Sequence, residues 1–123
     1  MKIALYSFGF KHGHPEADLI WDVRFLPNPY WAPQLRSRTG LEAEVAGYVL
    51  ANETGERFLV LLEPLLLFTV EEHAAGDREL PLTLAMGCTG GRHRSVALVE
   101  HLRRLLTTRG YSPEVYHRDI DKE

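Results

Sequence analysis

The amino-acid sequence predicts an α/β fold in which a mainly parallel sheet is flanked by helices. Two observations lead to this prediction: short apolar stretches of strand length alternate with longer stretches of helical spacing, and glycine or proline separates them. The 123 residues, of which 45% are hydrophobic and 25% charged, are typical of one globular domain. Because no internal repeat, biased tract or linker is visible, we assign residues 1–123 to a single domain.

Four stretches have the length and composition of strands. The first, Lys2–Phe8, is apolar and rich in aromatic residues, and it ends at Gly9. Asp18–Phe25 and the apolar stretch Pro81–Gly87 are the second and third candidates, and the segment Ser112–Asp119 supplies the last. The region between the first two strands holds glycine, proline and histidine residues and is predicted to be a loop.

Three stretches have helical spacing. A short helix is predicted over Leu41–Asn52, and a longer one over Gly55–Ala75, which Pro64 either kinks or divides. The third helix covers Arg92–Arg109, and the glycine that follows is a good terminator. Apolar residues recur at helical spacing along this third helix: Val96, Val99, Leu102, Leu105 and Leu106.

Composition and charge argue against several classes of protein. The formal net charge of −3 argues against a surface built entirely for nucleic acid. The single cysteine, Cys88, allows no internal disulfide, so we expect a reducing compartment. No secretory signal follows Met1, and Glu63 and Pro64 interrupt an apolar stretch that is too short to cross a bilayer. We therefore expect a cytoplasmic protein with no membrane partner.

The predicted topology places three loops at one edge of the sheet, after Phe8, Val23 and Met86. Sites in parallel sheets form at the carboxyl ends of the strands, which is where these loops lie. The same three loops also hold the most unusual side chains of the sequence.

The loop after the third strand has the sequence GCTGGRHRS, residues 87–95. A helix N-terminus is partially positive and disfavours cations, yet Arg92, His93 and Arg94 lie there. A bound phosphate removes this conflict, because Gly90 and Gly91 let an anion approach the backbone amides. Arginine also suits paired contacts with phosphate oxygens. The loop therefore predicts an anion-binding site.

Polar side chains nearby extend the chemistry of this site. Thr89 and Ser95 add hydroxyls, and His93 can add positive charge near neutral pH. His12 and His14 resemble metal ligands, but no cysteine or carboxylate has a matching spacing. We therefore predict neither a metal nor a cofactor.

The other two loops supply further candidates for the site. Lys11 follows the first strand and Arg24 ends the second, so both are predicted at the same sheet edge. Tyr30 and its neighbour Trp31 form either a stacking surface or packing for a proline-rich loop.

The same motif also fits a chemistry in which Cys88 is a nucleophile. Cysteine, five residues, arginine and serine is the spacing of cysteine-dependent phosphatases, in which a thiolate attacks phosphorus. Against this, Gly87 occupies the position at which those enzymes usually have histidine. No general acid is identified by spacing among the available aspartates, which are Asp18, Asp22 and Asp77. We therefore favour binding over catalysis. The Walker pattern is absent, so nucleotide hydrolysis is not predicted.

Five segments together resemble a known family. They are SFGFKHG at 7–13, ADLIWDVRFLPNP at 17–29, TGL at 39–41, GCTGGRHRS at 87–95 and YHRD at 116–119. In this order they closely resemble the C-terminal domain of the RapZ family, the bacterial RNase adaptor proteins, nearly from end to end. The resemblance implies a fold similar to a phosphofructokinase subdomain, self-association into a homo-oligomer, sensing of glucosamine-6-phosphate, and binding of small RNAs that helps to direct a ribonuclease.

The resemblance also assigns residues and exposes departures from the family. The segment Cys88–Arg94 matches the sugar-phosphate pocket of the family, and Lys11 and Arg24 match positions in its neighbouring loops. The chain has no counterpart of the family's N-terminal kinase-like domain, so we expect a stand-alone domain without the nucleotide function. Tyr30 replaces a common histidine, and the tail DIDKE is not basic, which weakens an RNA role.

We therefore expect a receptor for a small phosphorylated metabolite such as an amino-sugar phosphate. An RNA-binding RNase adaptor and a Cys88 phosphatase are the alternatives.

Overall fold

The sheet has four strands, and every pair of neighbours is parallel. In the computed structural model, which describes residues 1–76 and 80–122, the strands are β1 (Ile3–Gly9), β2 (Leu19–Asp22), β3 (Leu82–Cys88) and β4 (Glu114–His117). Their order across the sheet is β2-β3-β1-β4, with β1 and β3 paired along their whole length. The predicted fold class is confirmed.

Three helices pack against one face of this sheet: α1 (Ala43–Leu50), α2 (Glu53–Ala75) and α3 (Arg94–Thr108). Alternate side chains of a strand point to opposite faces. Ile3 and Leu5 of β1 therefore join the main core with residues of all three helices, whereas Tyr6 and Phe8 form a separate cluster. The loop after β1 covers that second cluster with Phe10 and Ala17.

The second strand and the third helix are shorter than predicted. The strand ends at Asp22 because the chain turns there, and the amide of Leu26 donates to the carbonyl of Val23. The helix begins at Arg94, two residues after the predicted start. Arg92 precedes it, and its carbonyl accepts from Gly40 rather than from a residue of the helix.

The long helix α2 is continuous through Pro64. A proline inside a helix removes one backbone hydrogen bond. Pro64 and Val60, whose carbonyl loses its partner, both lie on the exposed side of α2, where water can replace that bond. The helix also begins earlier than predicted, because Asn52 caps it through a 2.9 Å hydrogen bond from the amide of Gly55.

The order of the strands creates a crevice at their carboxyl ends. After β1 the chain crosses β3 to reach β2, whereas after β3 it crosses β1 to reach β4. The two central strands thus send their connections in opposite directions, the arrangement that opens a binding crevice in parallel sheets.

Glycines let the two loops touch at this crevice. A Cβ atom on Gly9 would lie 2.3 Å from the carbonyl carbon of Gly90, and one on Gly91 would lie 2.6 Å from the amide nitrogen of Gly9. Gly91 also has a φ angle of 81°, which favours glycine. Both positions therefore need glycine for the fold itself.

Candidate anion-binding site

A cavity of about 560 Å³ opens where the loops after β1, β2 and β3 meet. Five of its lining side chains are basic, and no carboxylate lines it within the described residues. The basic residues are Lys11, Arg36, Arg92, Arg94 and Lys122. Its other lining residues are Asn28, Tyr30, Ser37, Cys88, Thr89, Gly90 and His93. Concave surfaces with charge of one sign concentrate ligands of the opposite sign, so this cavity favours anions.

The start of α3 presents backbone donors near this cavity. No side chain caps the helix at His93, so the first amides are left for water or a ligand. At Gly90, a Cβ atom would meet only the Cε of Lys11, at 3.9 Å. The space beside the backbone of Gly90 is therefore open, in contrast to the tight contact at Gly91.

Arg94 is the most deeply buried basic residue of the cavity wall, with 6% of its surface exposed. Its Nη1 donates to the carbonyl of Arg24 at 2.5 Å and weakly to that of Leu26. Its Nε is buried without a hydrogen-bond partner among the described residues. A buried donor without an acceptor is costly, so an anion that accepts from Nε would stabilise the site.

Arg92 and His93 are tied to the surrounding backbone. The Nε of Arg92 donates to the carbonyl of Ile120 at 3.0 Å. The Nε2 of His93 lies 3.1 Å from the carbonyl of Arg36, which can only accept, so this nitrogen carries a hydrogen. Burial lowers the pKa of His93. The lowered pKa favours a neutral His93 near neutral pH, in contrast to the positive charge expected from the sequence.

Cys88 ends β3 at the wall of the cavity and is only 2% exposed. Its sulfur accepts from the amide of Gly91 at 3.3 Å and lies 3.1 Å from the hydroxyl of Ser95. Ser95 is fully buried, and its hydroxyl is engaged in this contact. Neither Ser95 nor Gly91 lines the cavity. Their predicted contacts with a ligand are therefore not supported, and both contact the Cys88 sulfur instead.

Neither Asp18 nor Asp22, two of the three aspartates considered as a general acid, is placed to serve Cys88. Asp18 accepts from the amide of Thr83 at 2.8 Å, and Asp22 is paired with Arg24. Asp77 lies outside the described residues.

Arg24 does not reach the cavity. Its guanidinium forms an ion pair with Asp22 at 2.7 Å and lies 4.2 Å from the centre of the Phe10 ring. The predicted ligand role of its side chain is therefore not supported, and only its carbonyl contributes, by holding Arg94. Lys11, by contrast, lines the cavity, and its amide donates to the carbonyl of Thr89 at 3.2 Å.

The loop after β2 supplies an aromatic rim. Tyr30 lines the cavity and is 48% exposed, while Trp31 is 73% exposed. This exposure argues against packing as the role of Trp31. The guanidinium of Arg36 lies 4.6 Å from the centre of the Tyr30 ring, and its Nε donates to the Tyr30 carbonyl at 2.7 Å.

Four lining residues were not predicted: Asn28, Arg36, Ser37 and Lys122. The first three belong to the loop that already contains Tyr30, so the basic charge of Arg36 in that loop was a usable signal. Lys122 had no signal along the chain, because its place depends on the return of the chain after β4.

The described ranges, 1–76 and 80–122, show neither a metal-binding cluster nor a helix of membrane-spanning character. They contain no group of three or more His, Cys, Asp or Glu side chains able to hold a metal ion. No helix in these ranges is long and apolar enough to cross a membrane.

The sequence of the chain matches a known family. The model of the RapZ C-terminal domain covers residues 1–121. The chain belongs to this family. The predicted relationship is therefore confirmed.

Curated relatives support the same membership. A "Nucleotide-binding protein" of Saccharopolyspora erythraea is 51% identical over 99% of this chain and 42% of its own length. Proteins of the same name from Caldicellulosiruptor saccharolyticus and Bifidobacterium adolescentis are 45% and 46% identical, over 42% and 39% of their lengths. The chain thus spans about two fifths of these relatives, as expected for a match to their RapZ C-terminal domain.

Proposed function

We propose that this domain binds a small phosphorylated metabolite, an amino-sugar phosphate such as glucosamine-6-phosphate, and that binding serves regulation. The observation that carries the proposal is the buried guanidinium of Arg94, whose Nε lacks a partner. It lies in a cavity wall that has five basic residues and no carboxylate within the described residues.

A phosphate bound at the N-terminus of α3 would face three kinds of hydrogen-bond donor. The backbone at Gly90 offers open space for close approach, and the helix dipole favours negative charge. Arg94 supplies a charged donor in a largely buried setting, and Lys11 approaches from the loop after β1. The sugar would then meet the uncharged polar groups of Asn28 and Ser37 and the ring of Tyr30.

The names of the relatives point to nucleotides, but they describe proteins more than twice as long as the matched segment. For this domain we propose only the shared chemistry, recognition of a phosphorylated small molecule. A nucleotide is therefore one arm of the test rather than the proposed ligand.

Isothermal titration calorimetry tests the proposal with glucosamine-6-phosphate, glucosamine, inorganic phosphate and AMP. We expect the sugar phosphate to bind most tightly and glucosamine not to bind. Lys11→Met should weaken binding about tenfold, the scale of one charged hydrogen bond. Lys2→Met is the matched control, since Lys2 precedes β1 at the opposite edge of the sheet. Equal affinity for glucosamine and its phosphate would refute the proposal.

A second candidate function is RNA binding, which the exposed Tyr30 and Trp31 beside basic residues favour. Aromatic side chains stack on bases of single strands, and basic side chains bind their phosphates. Fluorescence anisotropy with a short single-stranded RNA should then show binding that weakens with salt and with Trp31→Ala. No binding at low salt would remove this candidate.

The Cys88 phosphatase is the third candidate, since Cys88 lines the cavity and its sulfur accepts from the amide of Gly91. It has no carboxylate beside it in the described lining to act as a general acid. We expect no turnover of an aryl phosphate by the wild type. Turnover that is lost in Cys88→Ser would instead establish the enzyme.

We also propose that the domain self-associates through the exposed side of α2. Val60, Leu61, Leu65 and Phe68 are exposed apolar residues on this helix. Such clusters mark contact surfaces more often than isolated apolar residues do. Light scattering should show an oligomer that Leu61→Glu dissociates; a monomer at all concentrations would reject this interface.

A further inference from the structure

After β4 the chain folds back onto the candidate site. We call residues 118–122 the C-terminal turn. A hydrogen bond of 3.0 Å from the amide of Lys122 to the carbonyl of Asp119 closes it. The Nε of Arg92 donates to the carbonyl of Ile120 at 3.0 Å and so joins the turn to the loop after β3. The turn therefore becomes a wall of the cavity, and Lys122 is the residue that lines it.

Asp119 is fully buried behind this wall. Its Oδ2 accepts from the amide of Gly9 at 2.7 Å, and Arg118 pairs with the same carboxylate at 2.8 Å. Burial opposes ionisation of Asp119, but the hydrogen bonds from Arg118, Gly9 and Lys122 outweigh it and hold its pKa well below its usual value. Asp119 is therefore an anion throughout the neutral range.

This carboxylate contacts Lys122 directly and, through the amide of Gly9, holds the turn that carries Lys11. Its Oδ1 lies 2.7 Å from the Nζ of Lys122, and this ion pair holds a side chain that is otherwise half exposed. Its contact with the Gly9 amide holds the start of the turn that carries Lys11. A cation that is held in place loses less conformational entropy when a ligand binds.

We infer that Lys122 contacts the phosphorylated ligand and that Asp119 is the positioning residue for Lys122 and for the turn that carries Lys11. This inference rests on the proposed function. It assigns a ligand contact to the C-terminal turn, which the sequence motifs of the site do not include.

Affinity for glucosamine-6-phosphate, measured by calorimetry, tests the inference with two lysine variants. Lys122→Met should weaken binding about five- to tenfold, because a charge-assisted contact is lost. Lys2→Met removes the same charge far from the cavity and should change affinity less than about twofold. Equal affinities of Lys122→Met and Lys2→Met would overturn the inference and leave the proposed function standing. If the wild type binds no sugar phosphate, both the inference and the proposed function are refuted.

Reductive methylation followed by mass spectrometry gives a readout that a purely structural role would not affect. In the wild type, glucosamine-6-phosphate should slow methylation of Lys122 and leave Lys2 unchanged. In Asp119→Asn, Lys122 should react faster without ligand, and the ligand should protect it less. Unchanged Lys122 reactivity in Asp119→Asn, with the fold verified by circular dichroism, would contradict the positioning role.

Discussion

Arg94, at the start of α3, and Arg24, in the loop after β2, both lie at the same edge of the sheet, but their side chains behave in opposite ways. Arg94 is buried, lines the cavity and keeps one donor without a partner among the described residues. Arg24 is half exposed and is neutralised by Asp22, two residues before it. The segment 87–95 contains no acidic residue that could do the same for Arg94. The comparison shows that a local ion pair can hold an arginine side chain outside the cavity, whereas an arginine without such a partner stays in the cavity wall.

The largest expected effect comes from Arg94→Ala. The change removes the buried charged donor from the site and leaves the carbonyls of Arg24 and Leu26 without it. We expect affinity for glucosamine-6-phosphate to fall about 100-fold and the free energy of unfolding to fall by about 2 kcal/mol. Calorimetry and urea denaturation measure the two effects separately. Affinity within about threefold of the wild type would place the ligand elsewhere.

Substitutions at two adjacent glycines of the loop after β3 should separate effects on ligand affinity from effects on stability. Gly90→Ala meets no close atom, so it should leave stability within about 1 kcal/mol while its methyl group weakens ligand binding about tenfold. Gly91→Ala is strained at a φ of 81° and clashes with Gly9, so it should lower the free energy of unfolding by about 3 kcal/mol. Calorimetry and urea denaturation again measure the two effects. Wild-type affinity in Gly90→Ala would show that the ligand does not occupy the open space beside Gly90.

Acid should weaken the fold through His93. Burial lowers the pKa of His93, so below its usual value the unfolded chain takes up a proton that the folded chain does not. This contribution to stability is complete above about pH 6.5 and declines as the pH falls, by at most about 1.4 kcal/mol per pH unit. Urea denaturation at about pH 7 and pH 5.5 should show a smaller decline in His93→Gln than in the wild type. An identical decline in both proteins would contradict this assignment.

The smallest effect is expected from Arg24→Gln. The exposed ion pair with Asp22 contributes little to stability, and the side chain does not line the cavity. Affinity should change less than about twofold, which calorimetry can verify. A loss as large as that of Arg94→Ala would erase the distinction between the two loops.

Hydrophobic periodicity and the alternation of strands with helices were enough to predict the parallel sheet, its three helices and the loop after β3. They did not predict the ends of β2 and α3, because tertiary hydrogen bonds, such as the one from Gly40 to Arg92, decide them. The ion pair that keeps Arg24 out of the cavity was not predicted, although Asp22 lies only two residues before it in the sequence. Lys122 could not be predicted, since only the packing of the C-terminal turn brings it to the cavity.

A crystal structure of the domain with glucosamine-6-phosphate is the most direct test of the central claim. We predict that the phosphate lies within hydrogen-bond distance of the Gly90 amide and the Nε of Arg94, with the Arg24 side chain still on Asp22. A phosphate bound outside this cavity, or a cavity left empty at saturating ligand, would contradict the account.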